Sequence, residues 1–311
     1  MTASTAELVQ VRYQKLKNVS FEVMPITARQ YHVHSSPEIC LVLEGELTYT
    51  VNGATYLAGP GSLLLCNAYE VHCLEPQPSA TVLFLHLAPG FGKDYFARMV
   101  NVEFDCDPTL ITKAAHQQIV QPILAAATVY FGEPEAFGME CVGWICHAVT
   151  ALLRNVPYRL NTDAEFLAKK KKIGRKQRIA SFVEQHYREK LSLTQLAQEE
   201  GITTAYMSRI FAELFSDSFQ EYLSKMRLQK AINLLKQSNI YLVDICMECG
   251  FSDTRYLNAI CQKEYGCSAM ALREKMQNPE WQDPHQEPEA AELTLDDAES
   301  LRILKLYIEK Y

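Results

Sequence analysis

The chain of 311 residues has no long uncharged apolar run, and its start is polar. The first absence argues against a membrane-spanning helix and the second against a secretory leader, so the expected setting is the cytoplasm, with no membrane partner. Ten cysteines are present, but their placement suggests reduced thiols and excludes a small disulfide-stapled fold. Cys246 and Cys249 have zinc-like spacing, yet no second Cys or His pair stands at matching distance, so both are expected to pack inside a helix. Between 279 and 300 there is no lysine or arginine and there are eight acidic residues; without those eight, the net charge of −7 becomes +1. The acidity is therefore local and does not exclude an anionic partner. Lys169, Lys170, Lys171, Lys172, Arg175, Lys176 and Arg178 give the middle of the chain a positive stretch, read as a solvated linker.

What is present is a pair of short helical units between about 181 and 275. In 191–211, Ser192 can cap a helix whose apolar Leu193, Leu196 and Ala197 share a face. Gly201 stands where a sharp interhelical turn needs positive φ. Thr203 caps a second helix, with Tyr206, Met207, Ile210 and Phe211 expected inward and Ala205, Ser208 and Arg209 outward. A small outward face carrying an arginine suits a helix that enters the major groove. The pattern repeats at lower fidelity, with 241–251 ending in Gly250-Phe251 and 252–263 as a second reading helix. Between them, 219–236 reads as one amphipathic helix with Tyr222, Leu223, Met226, Leu228, Ala231, Leu234 and Leu235 inward. Two heads held by such a helix could read two successive major-groove segments.

From about 20 to 87 the chain alternates short apolar segments with turn signals. Asn52-Gly53 between 47–51 and 54–57 predicts a type I′ hairpin. Strands at 62–66, 71–74 and 81–87 then complete a small antiparallel barrel or sandwich. His32 and His34, two residues apart on a strand, would point to one side, and Glu38, on the same strand region, and His72 could complete a mixed N/O metal shell. The same groups could instead line a pocket or brace the barrel mouth. His86, His116 and His147 are read as surface or satisfied core residues. Two helices are expected at 108–130 and 134–156, the second with Val142, Ile145, Val149, Leu152 and Leu153 as an apolar stripe. Residues 161–174 read as an interdomain linker and 278–292 as an acidic tether. Beyond it, Thr294 to Asp297 resembles a helix start, with Leu301, Leu304, Ile308 and Tyr311 at coiled-coil-like spacing.

The segment 191–275 resembles the DNA-binding domain of the AraC/XylS family of bacterial transcription regulators. The matching residues include Leu191, Leu196, Ala197, Gly201, Met207, Ser208, Arg209, Phe211, Ser218, Phe219, Tyr222, Leu223, Arg227, Leu228, Ile245, Gly250, Phe251 and Tyr256. Four positions depart from the family pattern. They are Ser216 for glycine, Cys261 for phenylalanine, Ala269 for proline, and Ala259 for an arginine of the second reading helix. His32, His34 and Glu38 followed by Gly45, and Pro60-Gly61 followed by His72, resemble the two motifs of the cupin barrel, though the first lacks its leading glycine. That resemblance implies one divalent ion on His32, His34, Glu38 and His72. It also implies that the helical pair after the barrel serves dimerisation.

The expected architecture is α+β: an N-terminal cupin-like β-barrel with a following helical pair, then an all-α domain of two helix-turn-helix units joined by a long helix. The boundaries are 1–160 for the effector-binding and dimerisation domain, 161–174 for the linker, 175–276 for the DNA-binding domain, and 277–311 for the acidic tether and a short C-terminal helix. The expected function is sequence-specific transcription regulation controlled by a small-molecule effector. The resemblance to sugar-sensing regulators makes that effector a carbohydrate. The alternative is a cupin metalloenzyme, an oxygenase or sugar isomerase, carrying a DNA-binding domain. Expected DNA contacts are Thr203, Thr204, Ala205, Ser208, Arg209, Ser252, Thr254, Arg255 and Asn258, and expected effector contacts are Tyr31, His32, His34, Glu38, Tyr49 and His72, with Tyr69 nearby. No cofactor other than a divalent metal is expected. The expected partners are double-stranded promoter DNA, a sugar, RNA polymerase and a second copy of the chain.

Overall fold

The Asn52-Gly53 turn closes as the sequence requires, with φ of 51° and 81° at its two central residues. It joins β4 (Glu38–Val51) to β5 (Ala54–Ala58) in antiparallel register from Leu47↔Ala58 to Val51↔Ala54. The structure is a computed structural model that describes residues 7–27, 29–215, 218–236, 240–278, 281 and 295–310. The remaining strands of the barrel sheet are β1 (Glu7–Leu8), β2 (Val19–Ile26), β3 (Arg29–Val33), β6 (Leu63–Cys66) and β7 (His72–Leu87). The two segments expected at 71–74 and 81–87 are thus one long strand. β7 serves as the spine, pairing with β2, β3 and β4 along its length, while β6 pairs with β4. Gly45, at φ +79°, lies so close to β7 that a Cβ there would fall 2.3 Å from the Ser79 carbonyl oxygen.

A short strand β8 (Val102–Phe104) follows, then helices α1 (Lys113–Gly132) and α2 (Phe137–Asn155), strand β9 (Tyr158–Leu160) on β8, and helix α3 (Asp163–His186). Ile119, Ile123, Ala126 and Ala127 of α1 and Ile145, Ala148 and Leu152 of α2 join the apolar residues of the barrel in one core. The expected linker is helical, and the boundary between the two compact units falls within it, after Lys171. Nearly all of 161–174 is the first part of α3, because Ala, Glu, Lys and Arg are good helix formers even where nothing apolar is buried. Thr162 and Glu165 cap it reciprocally, each accepting the other's backbone N–H.

The second unit, Lys172–Glu287, contains α4 (Leu193–Glu199), α5 (Thr204–Phe215), α6 (Phe219–Leu235), α7 (Leu242–Cys249), α8 (Thr254–Tyr265) and α9 (Ala269–Met276). It has two small cores. Phe219 and Leu223 of α6 belong to the first; Leu228, Ala231, Ile232 and Leu235 belong to the second. One helix thus supplies a wall to each helix-turn-helix. Tyr222, Met226 and Leu234 are only half-buried, and Ser224 and Ile232, not expected inward, are buried. Cys246 and Cys249 are buried packing residues of α7.

The last helix, α10 (Asp297–Lys310), belongs to the first unit, which combines Met1–Lys171 with Pro288–Tyr311. It packs on α1 through Ser300, Leu304 and Tyr307, with Leu301 against Gly132 and Leu295 N–H donating to Val23 O. The expected stripe is corrected by one face: Ile308 is exposed, and Ser300 and Tyr307 take the inward places. Lys15 anchors the helix start through Asp297 at 2.6 Å. Thr294, Tyr311, Ser216 and most of the expected tether lie outside the described residues. No helix among the described residues is long and apolar enough to cross a membrane.

Candidate functional site

Two places carry chemistry, and they are built in opposite ways. The first is the outward face of the two reading helices. Ser192 and Gln195 form a capping box at the start of α4, Gly201 takes φ +65° at the turn, and the Thr203 hydroxyl accepts the Tyr206 N–H at the start of α5. Met207, Ile210 and Phe211 face the core, which leaves Thr203, Thr204, Ala205, Ser208 and Arg209 exposed on one side. Tyr206 was expected inward and is exposed; its ring lies 5.0 Å from the Arg209 guanidinium and holds that side chain against the helix.

The second reading helix, α8, is capped by Asp253, which accepts the Tyr256 N–H. Ser252 and Arg255 are exposed, and Thr254 is half-buried. Asn258 departs from its expected role as a free contact, since its side-chain oxygen accepts the Ala269 N–H at 2.8 Å and starts α9. Tyr256, also exposed in part, shares a hydrogen bond with Ser224 of α6.

The other place is sealed inside the barrel. Glu38 begins β4 and sits in register between Cys66 of β6 and His86 of β7, while His32 of β3 sits opposite His72 of β7. His34 and Glu38 do not share a strand: the chain bends through Ser35 and Ser36 between them, and that bend brings the two side chains together. Glu38 Oε2 accepts from His86 Nε2 at 2.7 Å and lies 3.2 Å from His34 Nε2. Glu38 Oε1 lies 3.1 Å from the Cys40 thiol and 3.2 Å from His72 Nε2. Burial by itself would raise the Glu38 pKa, but the charge of His72 and the contacts from His34, His72 and His86 hold it well below the usual carboxylate range.

His34 Nδ1 donates to the Ser36 carbonyl at 2.7 Å, and His72 Nδ1 lies 3.1 Å from the Glu70 carbonyl. A neutral ring fixed in that way presents an Nε2 lone pair to the carboxylate, and His72 Nε2 is buried without a hydrogen-bond partner. Lone pairs facing a buried carboxylate call for positive charge between them, as a proton or a metal ion. One donor atom from each of His32, His34, Glu38 and His72 falls within 4.8 Å of the others, so the set fits an ion. His86 is the residue that sequence reasoning missed. The separation of fourteen positions between His72 and His86 is even, as two residues on the same side of one strand require, but no motif marks it.

Of the other expected pocket residues, Tyr31 is half-buried, whereas Tyr49 is fully buried and donates to the Leu65 carbonyl at 2.6 Å. His116 meets the Gly61 carbonyl and His147 is exposed, as expected of residues outside a site. Space for a small molecule lies beside Glu38, in a cavity of about 70 Å³. Ile39, Leu65, Val102, Phe104 and Leu152 give it apolar walls, and Asn161 and Lys169 stand at its polar side.

With this geometry in view, comparison with known proteins is specific for both units. Residues 24–112 match the AraC-like ligand-binding domain, and residues 196–275 match a helix-turn-helix domain. The chain is 25% identical over 254 residues to the HTH-type transcriptional regulator ExsA of Pseudomonas aeruginosa, covering 79% of this chain and 88% of that protein. It is 23% identical over 261 residues to the HTH-type transcriptional activator RhaS of Klebsiella pneumoniae, covering 81% and 90%. It is also 23% identical over 258 residues to the thermoregulatory protein LcrF of Yersinia pestis, covering 77% and 90%. The chain is a DNA-binding transcription regulator of the AraC family, with its ligand-binding domain ahead of its helix-turn-helix domain.

Proposed function

We propose that the chain reads promoter DNA chiefly through α5, with α8 as a second head, under the control of a small molecule bound in the first unit. The observation that carries the reading is the exposed face of Thr203, Thr204, Ala205, Ser208 and Arg209 on a helix fixed by caps at its start and by Met207, Ile210 and Phe211 behind it. Ser252, Thr254 and Arg255 extend it to the second head. A genome-wide footprint of bound promoters, followed by gel shifts of the full chain on the recovered operators, tests it. Specific, salt-dependent binding that Arg209→Ala weakens is the expected result. Binding without sequence preference would overturn it.

The effector site is the cavity that ends at Glu38. Its largely apolar lining offers few partners for the many hydroxyls of a sugar, so the carbohydrate class expected from the sequence gives way to a smaller, less hydroxylated molecule. His32, His34, Glu38 and His72 would hold one divalent transition-metal ion behind the end wall, and the ion would supply the positive charge that the buried carboxylate and the fixed imidazoles call for. Metal analysis of purified protein tests this, near-stoichiometric metal being the expected result and absence of metal after reconstitution the contrary one. A homodimer through the outward side of α1 and α2, where Met139 and Trp144 are exposed, completes the reading, with RNA polymerase as the further partner at the promoter.

A further inference from the structure

The cavity beside Glu38 has a polar side on which one buried acceptor, the Asn161 side-chain oxygen, lacks a donor. Glu103 of β8 accepts from Asn161 Nδ2 at 2.6 Å, from Arg159 at 2.7 Å and from Lys169 Nζ at 2.5 Å. Behind it, the buried Glu70 carboxylate faces the same ammonium at 4.0 Å, longer than a hydrogen bond. Asn161 lines the cavity and is 8% exposed, and its Oδ1 is a buried acceptor without a partner. Glu70 is already served by the Asn67 N–H and side-chain amide and by the Cys106 thiol, so the acceptor left unserved is the Asn161 oxygen. The remaining wall is hydrocarbon from Val102, Phe104 and Leu152.

Lys169 is in effect a ligand that the chain supplies for itself. Its side chain is a four-carbon ammonium, with its head on Glu103 and about a third of its surface in solvent. It is held from one end only, by α3, so a free molecule with the same head can take its place. The volume sets the size: an apolar cavity of about 150 Å³ accepts benzene, and this one, at about 70 Å³, takes a chain of about four carbons only together with the room that the Lys169 side chain, itself part of the lining, vacates on displacement.

We propose that the cavity bounded by Glu103 and Asn161 binds a short-chain primary ammonium compound, which displaces the Lys169 ammonium from Glu103 and so releases the first turns of α3 from β8. This rests on the reading of the first unit as effector-binding and names the chemical class of the effector. A free ammonium, not tethered to α3, can turn its three donors to serve Glu103 and the open Asn161 oxygen together, whereas an anion would meet the Glu103 carboxylate. A neutral alcohol has one donor and no charge to offset Lys169.

The test uses the full chain and three probes with the same four carbons: butylammonium, 1-butanol and butyrate, each followed by thermal shift and titration calorimetry. Butylammonium is expected to raise the melting temperature of the wild type, and the other two are not. Lys169→Met removes the internal competitor and should bind butylammonium about tenfold more tightly, because the open state no longer has to be reached against the lysine. Glu103→Gln should lose the response. Lys169→Gln provides a second variant, expected to behave as Lys169→Met does. Preferred binding of butyrate, equal binding of all three probes, or no binding of butylammonium to either Lys169 variant would overturn the proposal. So would unchanged affinity in Glu103→Gln. Operator binding by the same preparations, measured alongside, separates failure of this inference from failure of the regulator reading, since intact DNA binding with no ammonium response sinks only the former.

Discussion

The two helix-turn-helix units repeat one pattern, and they spend their polar groups differently. In the first, Gly201 turns in open space, with no atom within 4 Å of where its Cβ would be, and the polar side chains of α5 stay on the surface. In the second, Gly250 is pressed against the 187–188 backbone, where a Cβ would meet Tyr187 O, Arg188 O and Arg188 Cα at 2.7 Å. There Asn258 is committed to starting α9 and Tyr256 to Ser224. Residues bound into the fold are not free to read a base. On the proposed reading, the second unit would therefore act more as a fixed backing, and the first as the principal reader.

The largest expected effect separates the two turns. Gly250→Ala should cost about 4 kcal/mol or more, because backbone must move to admit the methyl group, whereas Gly201→Ala should cost only the left-handed strain of about 1–2 kcal/mol. Urea unfolding of the two variants checks this, and similar losses would erase the distinction. Next is DNA affinity. Arg209→Ala should weaken operator binding by about 1–3 kcal/mol with the fold intact, as expected for a lost arginine contact. Arg255→Ala should cost less, and base-pair changes beneath α8 should cost less than those beneath α5. Reversed costs in a mutated-operator series would make the second head the main reader.

Asn258→Ala should reverse that pattern of effects. It should lower stability by about 1 kcal/mol through the orphaned Ala269 N–H, with operator affinity little changed once the protein is folded. A large loss of affinity at full folding would return Asn258 to the groove. The smallest effect concerns Lys176 of α3, whose ammonium lies 5.6 Å from the Phe215 ring. Burial, helped by Lys172, lowers its pKa to about 8 from 10.5. The cost of keeping it charged is therefore full below pH 8 and fades as pH rises towards 10.5. Lys176→Met should stabilise by up to about 1 kcal/mol at pH 7, screening by solvent considered. The gap from wild type should close through the alkaline range. A constant gap would mean that packing, and not charge, sets it.

The caps and turns of the helical unit were legible because they are local: Ser192, Thr203, Gly201 and Gly250 all act within a few residues. The Asn52-Gly53 hairpin was legible for the same reason. His86 was not, since it reaches Glu38 across 48 positions through strand register alone. Tyr206 was misplaced, and the Asn258 bond to Ala269 was not legible, because a helical face predicts direction and not the neighbour waiting there. The helical state of the linker was not legible because a charged sequence suits a solvated helix as well as a coil, and only the caps at Thr162 and Glu165 distinguish them. The inward face of α10 needed α1 beside it to be known.

The docking of α10 sets a schedule for biosynthesis. Leu304 and Tyr307 complete the core that the barrel and α1 begin, yet the whole Lys172–Glu287 unit is translated between them. At ~5–20 residues per second, the nascent sensor waits on the order of ten seconds with that flank of α1 bare. The DNA-reading unit, whose contacts are short-range, has its sequence complete before then. A ribosome that stalls within the acidic stretch would thus release a reader attached to an unfinished sensor, with an apolar seam open to chaperones and to aggregation.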